Sequence, residues 1–314
     1  MFAVCGEALF DVFATGTTST GLSLDARIGG SPFNVAVGLA RLGQPVSLVT
    51  VLSEGFLGQR LLQALAEEGV DTGLIQRSPA PTTLSVVGVD AQGVPSYAFY
   101  GEQGADRLLD PAVLDAWPDG VACVHVGSYA TVMGATAAVQ RSIVERARAR
   151  SLIAYDPNIR LNVQPSLPVW RDQVNWMLPR THLLKVSEED LGLLYPGQAV
   201  EAFAQGALAA GVSVVVVTGG AEGARVWASG RCLQVPPVPV SVVDTVGAGD
   251  TFQAALLTWL AEHGALSPAA LSALGESSLN AALRFASEAA AITCGRRGAD
   301  MPRRFEVPTP TGRP

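Results

Sequence analysis

The chain has 314 residues, of which 48% are hydrophobic, and its formal net charge is −7. This length and composition suffice for one large core, or for a core with a small subdomain. The negative charge gives no electrostatic basis for binding nucleic acid or an anionic membrane, and no apolar run approaches the roughly 20 residues of a membrane-spanning helix.

The four cysteines lie far apart in the sequence, and no two of them have the spacing of metal ligands. They indicate neither a disulfide framework nor a metal site, as is usual in a reducing cytosol. The first cationic residue is Arg27, so the N-terminus lacks the basic region of a signal peptide. We therefore expect a cytoplasmic protein.

Short apolar runs alternate with amphipathic helical patterns along most of the chain, and Gly43, Gly69, Gly211 and Gly264 follow four of the patterns as helix C-caps. Strands alternating with helices predict an α/β fold, with a mostly parallel sheet and helices on both of its faces. The predicted strands are 2–5, 46–51, 121–126, 152–155, 182–186 and 212–217. The predicted helices are 34–42, 57–68, 135–149, 200–210, 251–262 and 279–291.

Two segments break this alternation. Residues 8–28 are rich in Thr, Gly and Ser, and residues 82–100 have the pattern of a β-hairpin with a turn at 90–93. Strands without crossover helices predict a small antiparallel sheet apart from the main one, which could cover a site as a lid. The alternative is an ordinary hairpin at the edge of the sheet.

A turn of small residues between two carboxylates is the most informative local pattern. Gly247, Ala248 and Gly249 lie between Asp244 and Asp250, and apolar residues with helical spacing follow. The free N–H groups and positive dipole end of a helix start attract an anion. A carboxylate beside such a site can take a proton from a hydroxyl that attacks a phosphate. The alternative is that Asp250 only caps the helix.

Lys185 is the single lysine of the chain, and no glycine lies near it in the sequence. A Walker A loop requires a lysine within a glycine-rich turn. The phosphate site therefore cannot be that of a P-loop kinase.

A second glycine cluster, Gly29-Gly30-Ser31-Pro32-Phe33-Asn34, opens another predicted helix. Together with the turn at 247–250, it resembles the two signatures of the PfkB, or ribokinase-like, carbohydrate kinases. Weaker matches in the same order cover nearly the whole chain, at 6–11, 156–160, 185–190 and 218–223, and are most similar to the bacterial fructokinases. The resemblance implies a ribokinase-like three-layer α/β/α domain over residues 1–314, with lid segments at about 8–28 and 82–104.

The resemblance also implies roles at the phosphoryl-transfer centre. Asp250 would be the general base for a sugar's primary hydroxyl as it attacks the γ-phosphate of ATP, and the N–H groups of Gly247, Ala248 and Gly249 would stabilise the transferred group. Arg160 would lie near that phosphate or the substrate; the alternative is a surface arginine.

The expected sugar site is formed around the second glycine cluster. The carboxylate of Asp11 and the amide of Asn34 can both bond hydroxyl groups, although Asn34 could instead cap its helix. The family pattern assigns the sugar to Asp11, Gly29, Gly30, Asn34 and Arg160, with Tyr97 or Phe99 closing over it.

For ATP, the family pattern implies contacts at the ends of several strands, a region where ligands collect in open α/β sheets. Asn158 could instead form an Asx-turn, and Asn280 could be a helix cap or a surface amide. The implied ATP-binding residues are Asn158, Lys185, Ser187, Thr218, Gly220, Gly223, Gly249 and Asn280.

Two cations are implied as well. The usual Asn-x-x-Glu motif of the family is replaced here by Ser187 and Asp190, and Asp190 would bind Mg²⁺ through water. Asp244 and the loop 294–298 would hold a monovalent cation, usually K⁺, through oxygen ligands.

The segment after the lid aromatics bears on the substrate. Phe99 and Tyr100 are followed by Gly101 and Glu102, so no cation is present there to meet an acid sugar. We expect a neutral sugar, D-fructose first; the alternatives are a 2-keto-3-deoxygluconate or nucleoside kinase, or a non-catalytic sugar-binding protein on this fold. The alternating apolar residues of the lid, such as Leu84, favour a homodimer that covers them.

Overall fold

The computed structural model describes residues 1–89 and 95–308. The predicted hairpin turn at 90–93 lies outside these residues. The strands are β1 (Phe2–Cys5), β2 (Leu9–Thr17), β3 (Leu22–Gly29), β4 (Val46–Ser53), β5 (Ile75–Ser78), β6 (Leu84–Val89), β7 (Pro95–Tyr100), β8 (Cys123–Gly127), β9 (Leu152–Asp156), β10 (Leu183–Ser187), β11 (Val214–Thr218), β12 (Ala224–Ala228) and β13 (Arg231–Val235).

The main sheet has nine strands in the order β13-β12-β11-β10-β9-β8-β1-β4-β5. Neighbours from β11 to β5 pair in parallel, whereas β12 and β13 add an antiparallel edge. The parallel strands end at the same edge of the sheet, so the loops that follow them meet there. The six predicted strands are all present, and β5, β12 and β13 were not predicted because their residues are more polar.

The α-helices are α1 (Ser31–Arg41), α2 (Phe56–Glu67), α3 (Gly134–Ala147), α4 (Leu167–Met177), α5 (Glu188–Leu194), α6 (Val200–Ala209), α7 (Ala248–Glu262), α8 (Pro268–Ser272) and α9 (Glu276–Cys294). The four predicted C-cap glycines all have a positive φ, which terminates a helix in the left-handed region. Among the helices in the described part of the chain, none is long and apolar enough to cross a membrane.

Alternate residues of β1 point to two different cores, which lie on the two faces of the sheet. Phe2 and Val4 belong to one core, with residues of α1, α2, α7 and α9, whereas Ala3 and Cys5 belong to the other, with residues of α3 to α6. The result is three layers, α/β/α, as predicted. Helix α7 is buried from Asp250 to Leu260, so its start is held rigidly against the sheet.

The lid is a separate four-stranded sheet in the order β3-β2-β6-β7. Strands β6 and β7 pair antiparallel, as the hairpin pattern predicted. Leu84 and Val86 of β6 are partly buried and pack against the core that contains Phe2 and Val4 of the same chain. The expected homodimer stays a prediction.

Candidate active site

A cleft of about 900 Å³ lies between the lid and the carboxyl ends of the strands. We call the part near the lid the lid end, and the part beside the buried lysine the lysine end. The lid end is lined by Glu7, Leu9, Asp11, Ser85, Phe99, Ser128 and Tyr129, and the lysine end by Lys185, Ser187, Asp190, Thr218 and Gly220. Gly30, Ser31, Asn34, Asn158, Arg160, Gly247, Gly249 and Asp250 also line the cleft.

The turn before α7 places its first N–H groups at the cleft. Gly247 has a φ of 78°, and a Cβ there would lie 2.6 Å from the Cβ of Ala299, so the position favours glycine. The N–H of Thr251 donates to the Gly247 carbonyl at 2.8 Å, which begins the helical ladder. The N–H of Ala248 donates to the Thr245 carbonyl at 3.2 Å, so the expected three-donor anion site loses this donor.

Both carboxylate oxygens of Asp250 are held by residues of α1. The Ser31 hydroxyl donates to Oδ1 at 2.6 Å, and the Asn34 amide donates to Oδ2 at 2.8 Å. Asp250 is only 8% exposed, so these two bonds fix its orientation. The fold therefore brings the Asp250 carboxylate together with two donors that lie more than 200 residues earlier in the sequence.

Helix α1 begins at Ser31 with Gly30 as its N-cap, so Asn34 is not the helix cap that the sequence allowed. Gly30 has a φ of 106°, a backbone conformation that residues other than glycine rarely adopt. Ser31 had no predicted role. Its spacing of three residues from Asn34 places both side chains on one face of a helix, and this signal could have identified it.

The lysine end contains a buried ion pair. Lys185 Nζ donates to Asp156 Oδ2 at 2.7 Å, and both side chains are almost fully buried. Burial raises the pKa of Asp156 to about 6, and the ammonium limits this rise, so the pair is ionised at neutral pH. Burial lowers the pKa of Lys185, but Asp156, Asp190 and Asp250 together raise it above its ordinary value.

The lysine is therefore not a mobile surface cation. A Cβ at Gly249 would lie 3.2 Å from its Nζ, so the ammonium lies against the turn that precedes α7. Asp156 Oδ1 is buried without a hydrogen-bond partner. Asp156 had no predicted role, although it opens one of the motifs that carry the family resemblance.

Asp190 lies at the start of α5, close to the end of β9. Its Oδ1 accepts from the Ile159 N–H at 2.9 Å, and its own N–H donates to the Ser187 hydroxyl at 3.0 Å. No group of three or more His, Cys, Asp or Glu side chains within residues 1–89 and 95–308 is arranged to hold a metal. The single carboxylate of Asp190 is compatible with Mg²⁺, which usually takes one or two carboxylates and completes its shell with water and phosphate oxygens.

Asp11 and Phe99 lie at the lid end of the cleft. Burial raises the pKa of Asp11, although the Ser85 hydroxyl and Arg160 lower it. Phe99 contacts Tyr129 edge-to-face, with ring centroids 5.5 Å apart. The side chain of Tyr97, the other predicted lid aromatic, lies outside the described part of the structure.

A cation lies beside the lid aromatic Phe99. The Arg107 guanidinium lies over the Phe99 ring, 5.6 Å from its centroid, although no cation follows the aromatic pair in the sequence. The chain returns past the lid after the hairpin and places this cation there. Arg160 is a second cation, exposed in the cleft, and its Nη1 donates to the Ile159 carbonyl at 3.0 Å.

Asn158, in the loop after β9, has a φ of 42°. Asparagine tolerates this left-handed conformation better than most residues. The side chain lies at the cleft, and the backbone turn and a contact with ATP are both compatible with its position.

Several predicted residues do not line the cleft. Asn280 accepts from Arg284 Nε on α9 at 3.0 Å, and Gly223 forms the turn between β11 and β12. Gly29 lies beside Asp11 Oδ2. The remaining two are Ala248 and Asp244.

Asp244 contacts the loop that was expected to share a cation with it. Its carboxylate accepts from the N–H groups of Val246 at 3.1 Å and Gly298 at 2.8 Å. Burial alone would raise its pKa, but these backbone donors bring the pKa below its ordinary value. Both carboxylate oxygens thus accept from backbone N–H groups, and the expected monovalent-cation site at Asp244 stays a prediction.

Similarity to known proteins identifies the family of the chain. The model of the pfkB family carbohydrate kinases matches residues 2–304. A fructokinase of Rhizobium leguminosarum bv. trifolii is 33% identical over 89% of this chain and 85% of its own length. The probable chloroplastic fructokinase-6 of Arabidopsis thaliana is 31% identical over 95% of this chain and 78% of its own length.

Solved structures show the same fold. The fructokinase of Xylella fastidiosa with bound ATP has a TM-score of 0.86 and 27% identity, and covers 98% of this chain and 94% of that one. A double mutant of the Vibrio cholerae O395 fructokinase, with fructose, ADP and potassium ion bound, has a TM-score of 0.80 and 25% identity over 95% and 93%. The chain belongs to the pfkB family of carbohydrate kinases, which confirms the resemblance and the expected sugar kinase activity.

Proposed function

We propose that the protein is an ATP-dependent fructokinase, which transfers the γ-phosphate of ATP to the primary hydroxyl of D-fructose. The observation that carries this proposal is the Asp250 carboxylate, oriented by Ser31 and Asn34 at the helix start that faces the cleft. The relatives named as fructokinases support the choice of sugar.

In this proposal, Asp250 takes the proton of the attacking hydroxyl, because its two oxygens are fixed at the wall of the cleft. The first-turn N–H of Gly249 and the ammonium of Lys185 lie beside the position where the transferred phosphoryl group gains negative charge. Arg160 adds a cation to the same cleft. The arrangement can therefore position both reactants and stabilise the transition state.

We assign ATP to the lysine end and the sugar to the lid end. Thr218, Gly220 and Ser187 follow two neighbouring parallel strands, and a nucleotide at their ends would bring its phosphates towards the turn before α7. Asp11 and Asn34 offer hydroxyl partners at the other end. Asn280 is left outside this assignment.

A second candidate is a kinase of 2-keto-3-deoxygluconate. The cations Arg107, beside Phe99, and Arg160, in the cleft, favour it, because either could pair with a sugar carboxylate. The carboxyl groups of the buried Glu7 and the partly buried Asp11 at the same end argue for a neutral sugar, since their carboxylate forms would repel an anion.

A coupled assay of ADP release over a panel of sugars tests the function. We expect turnover with D-fructose and a lower kcat/KM with 2-keto-3-deoxygluconate and with nucleosides. Turnover with the acid sugar alone would transfer the assignment to the second candidate. Sugar binding without turnover on any sugar would indicate a non-catalytic binding protein.

Mg²⁺ and K⁺ belong to this proposal. Asp190 would bind the Mg²⁺ that accompanies ATP through water, and Asp244 with the loop 294–298 would hold K⁺. We expect EDTA to abolish activity and Mg²⁺ to restore it. Equal rates in sodium and potassium buffers would remove the K⁺ assignment and leave the Mg²⁺ assignment intact.

We also propose a homodimer formed through the lid. Its support is the apolar, exposed outer strand of the lid sheet, where Leu22 is 65% exposed and Leu24 is 54% exposed. Light scattering should give twice the mass of the 32.5 kDa chain, and Leu22→Glu with Leu24→Glu should reduce it to the monomer. A monomeric mass for the unmodified protein contradicts the proposal.

The cytosolic location expected from the sequence is part of the same proposal. All four cysteines are free thiols, and Cys5 and Cys123 are buried, as in a protein that folds under reducing conditions. Fractionation of the source cells should recover the protein with cytosolic markers.

A further inference from the structure

Glu7 is a buried carboxyl that the phosphoryl transfer described above does not use. It follows β1, is 1% exposed and lines the lid end of the cleft. Its Oε2 has no hydrogen-bond partner. A buried polar atom without a partner destabilises the protein, and such an atom at the wall of a cleft is suited to a ligand.

The backbone places Glu7 close to the general base. A Cβ at Gly30 would lie 2.7 Å from the Glu7 carbonyl oxygen, so the two backbones are in direct contact. The next residue after Gly30 is Ser31, whose hydroxyl binds Asp250. Glu7 and Asp250 therefore both lie close to the start of α1, Glu7 through its contact with Gly30 and Asp250 through its hydrogen bond with Ser31.

Asp11 also lies close to the glycine turn at 29–30. Its Oδ2 lies against Gly29, whereas the Glu7 carbonyl lies against Gly30. A buried carboxyl group and a partly buried one thus lie near one turn at the lid end.

The groups that face Glu7 do not neutralise it. Asp106 accepts from the hydroxyl groups of Thr83 and of Tyr129, the latter at 2.9 Å, and it is a like charge near Glu7. Arg160 is near enough to lower the pKa of Glu7, but its hydrogen bond goes to the Ile159 carbonyl.

Burial raises the pKa of Glu7 to about 7, and Asp106 adds to this rise, whereas the Ser128 hydroxyl and Arg160 act against it. Near neutral pH the carboxyl therefore exists in both protonation states. Either state bonds a hydroxyl, because a carboxylate accepts and a carboxylic acid can also donate.

We infer that Glu7 is a further substrate-contacting residue, whose Oε2 forms a hydrogen bond with a hydroxyl of the bound sugar. The inference rests on the proposed function and adds a specificity residue to it. A hydroxyl meets the unpaired oxygen without adding charge, whereas the carboxylate of an acid sugar would be repelled by Glu7 and Asp11. Glu7 thereby selects for a neutral sugar.

The test compares the full-length protein with Glu7→Gln, and uses Glu54→Gln, at an exposed glutamate, as the matched control. We expect Glu7→Gln to raise the KM for D-fructose about tenfold, because a neutral hydrogen bond replaces a charge-assisted one, while the KM for ATP is unchanged. In the unmodified protein the KM for sugar should fall as the pH rises from 6 to 8 through the pKa of about 7, because the carboxylate accepts a stronger hydrogen bond than the acid, and this variation should disappear in Glu7→Gln.

Monodeoxy fructoses identify the hydroxyl. One analogue should bind the unmodified protein and Glu7→Gln equally, because it lacks the group that Glu7 contacts. An equal loss with every analogue, together with a lower melting temperature, would mean a purely structural role and overturn the inference.

The outcomes separate the inference from the function. Fructose turnover with unchanged kinetics in Glu7→Gln removes the role of Glu7 and leaves the fructokinase standing. Absence of binding and turnover for every sugar removes both.

Discussion

At the lid end of the cleft, the buried carboxyl groups of Glu7 and Asp106 are surrounded by hydroxyl groups, whereas at the lysine end Asp156 is paired with the Lys185 ammonium. The lysine end thus compensates its buried charge within the protein. Within the described part of the chain, each end leaves one buried carboxyl oxygen without a hydrogen-bond partner, Asp156 Oδ1 at the lysine end and Glu7 Oε2 at the lid end, but Glu7 has no directly paired cation. The difference suggests that the lysine end is a fixed scaffold for phosphate chemistry, whereas the lid end is completed by a neutral, hydroxyl-bearing ligand.

The largest expected effect lies between the two ends, at Asp250. Asp250→Asn keeps the size of the side chain but removes the base, so we expect kcat to fall by about 10²–10⁴-fold with little change in sugar affinity. Steady-state kinetics and sugar titration check this, with Asp115→Asn at an exposed position as the control. An unchanged kcat would mean that a group other than Asp250 takes the proton of the attacking hydroxyl.

Removing the cation of the buried ion pair at the lysine end should destabilise the protein. Lys185→Met leaves the buried Asp156 carboxylate without its cation, so we expect the free energy of unfolding to fall by about 3–5 kcal/mol. Lys185→Met combined with Asp156→Asn should recover part of this loss, because the unpaired charge is gone. Urea denaturation at pH 7 measures both variants.

The loss in the single variant should also shrink as the pH falls, beginning above pH 6, because without the ammonium burial raises the pKa of Asp156 further and the carboxyl takes up a proton. A loss that is the same in the single and double variants, and at all pH values, would show that Lys185 does not stabilise the buried charge of Asp156.

The stability contribution of the lid end should also depend on pH, because burial raises the pKa of Glu7 as it raises that of Asp156. The pKa of Glu7 rises from 4.5 in the unfolded chain to about 7 in the fold, so folding takes up a proton between these values. This contribution is fully present below pH 4.5 and is lost as the pH rises through 7, with a total of up to about 3 kcal/mol.

The stability difference between the unmodified protein and Glu7→Gln isolates this contribution, because Asp11, Asp106 and Asp156 titrate in both. Denaturation curves from pH 4.5 to 8 should show that, as the pH rises, the unmodified protein loses stability relative to Glu7→Gln. A difference that is constant with pH would mean that folding does not raise the pKa of Glu7.

The smallest expected effect is at Ser31, which binds Asp250 between the two ends of the cleft. Ser31→Ala removes one of the two hydrogen bonds that orient Asp250, and we expect kcat to fall about tenfold with the KM for ATP unchanged. Ser31→Thr keeps the hydroxyl and should recover most of the rate. Equal losses in both variants would point to packing at the start of α1 instead.

The sequence by itself determined the elements and the family. Hydrophobic periodicity predicted the central strands and six helices, because burial of one face imposes a spacing that a local segment records. The glycines at 29–30 and 247–249 identified the two turns, because these backbone conformations and close approaches favour glycine. The start of α1 was placed three residues too late, since Gly30 and not Asn34 caps it.

The tertiary structure alone decided which side chains meet. Ser31 reaches Asp250, Asp156 reaches Lys185, and Arg107 covers Phe99, although nothing in the local sequence around them indicates these contacts. Such pairs depend on the order of the strands and on the packing of helices over them. Burial, and with it the charge of Glu7, is likewise a property of the assembled cleft, because desolvation comes from groups that are distant along the chain.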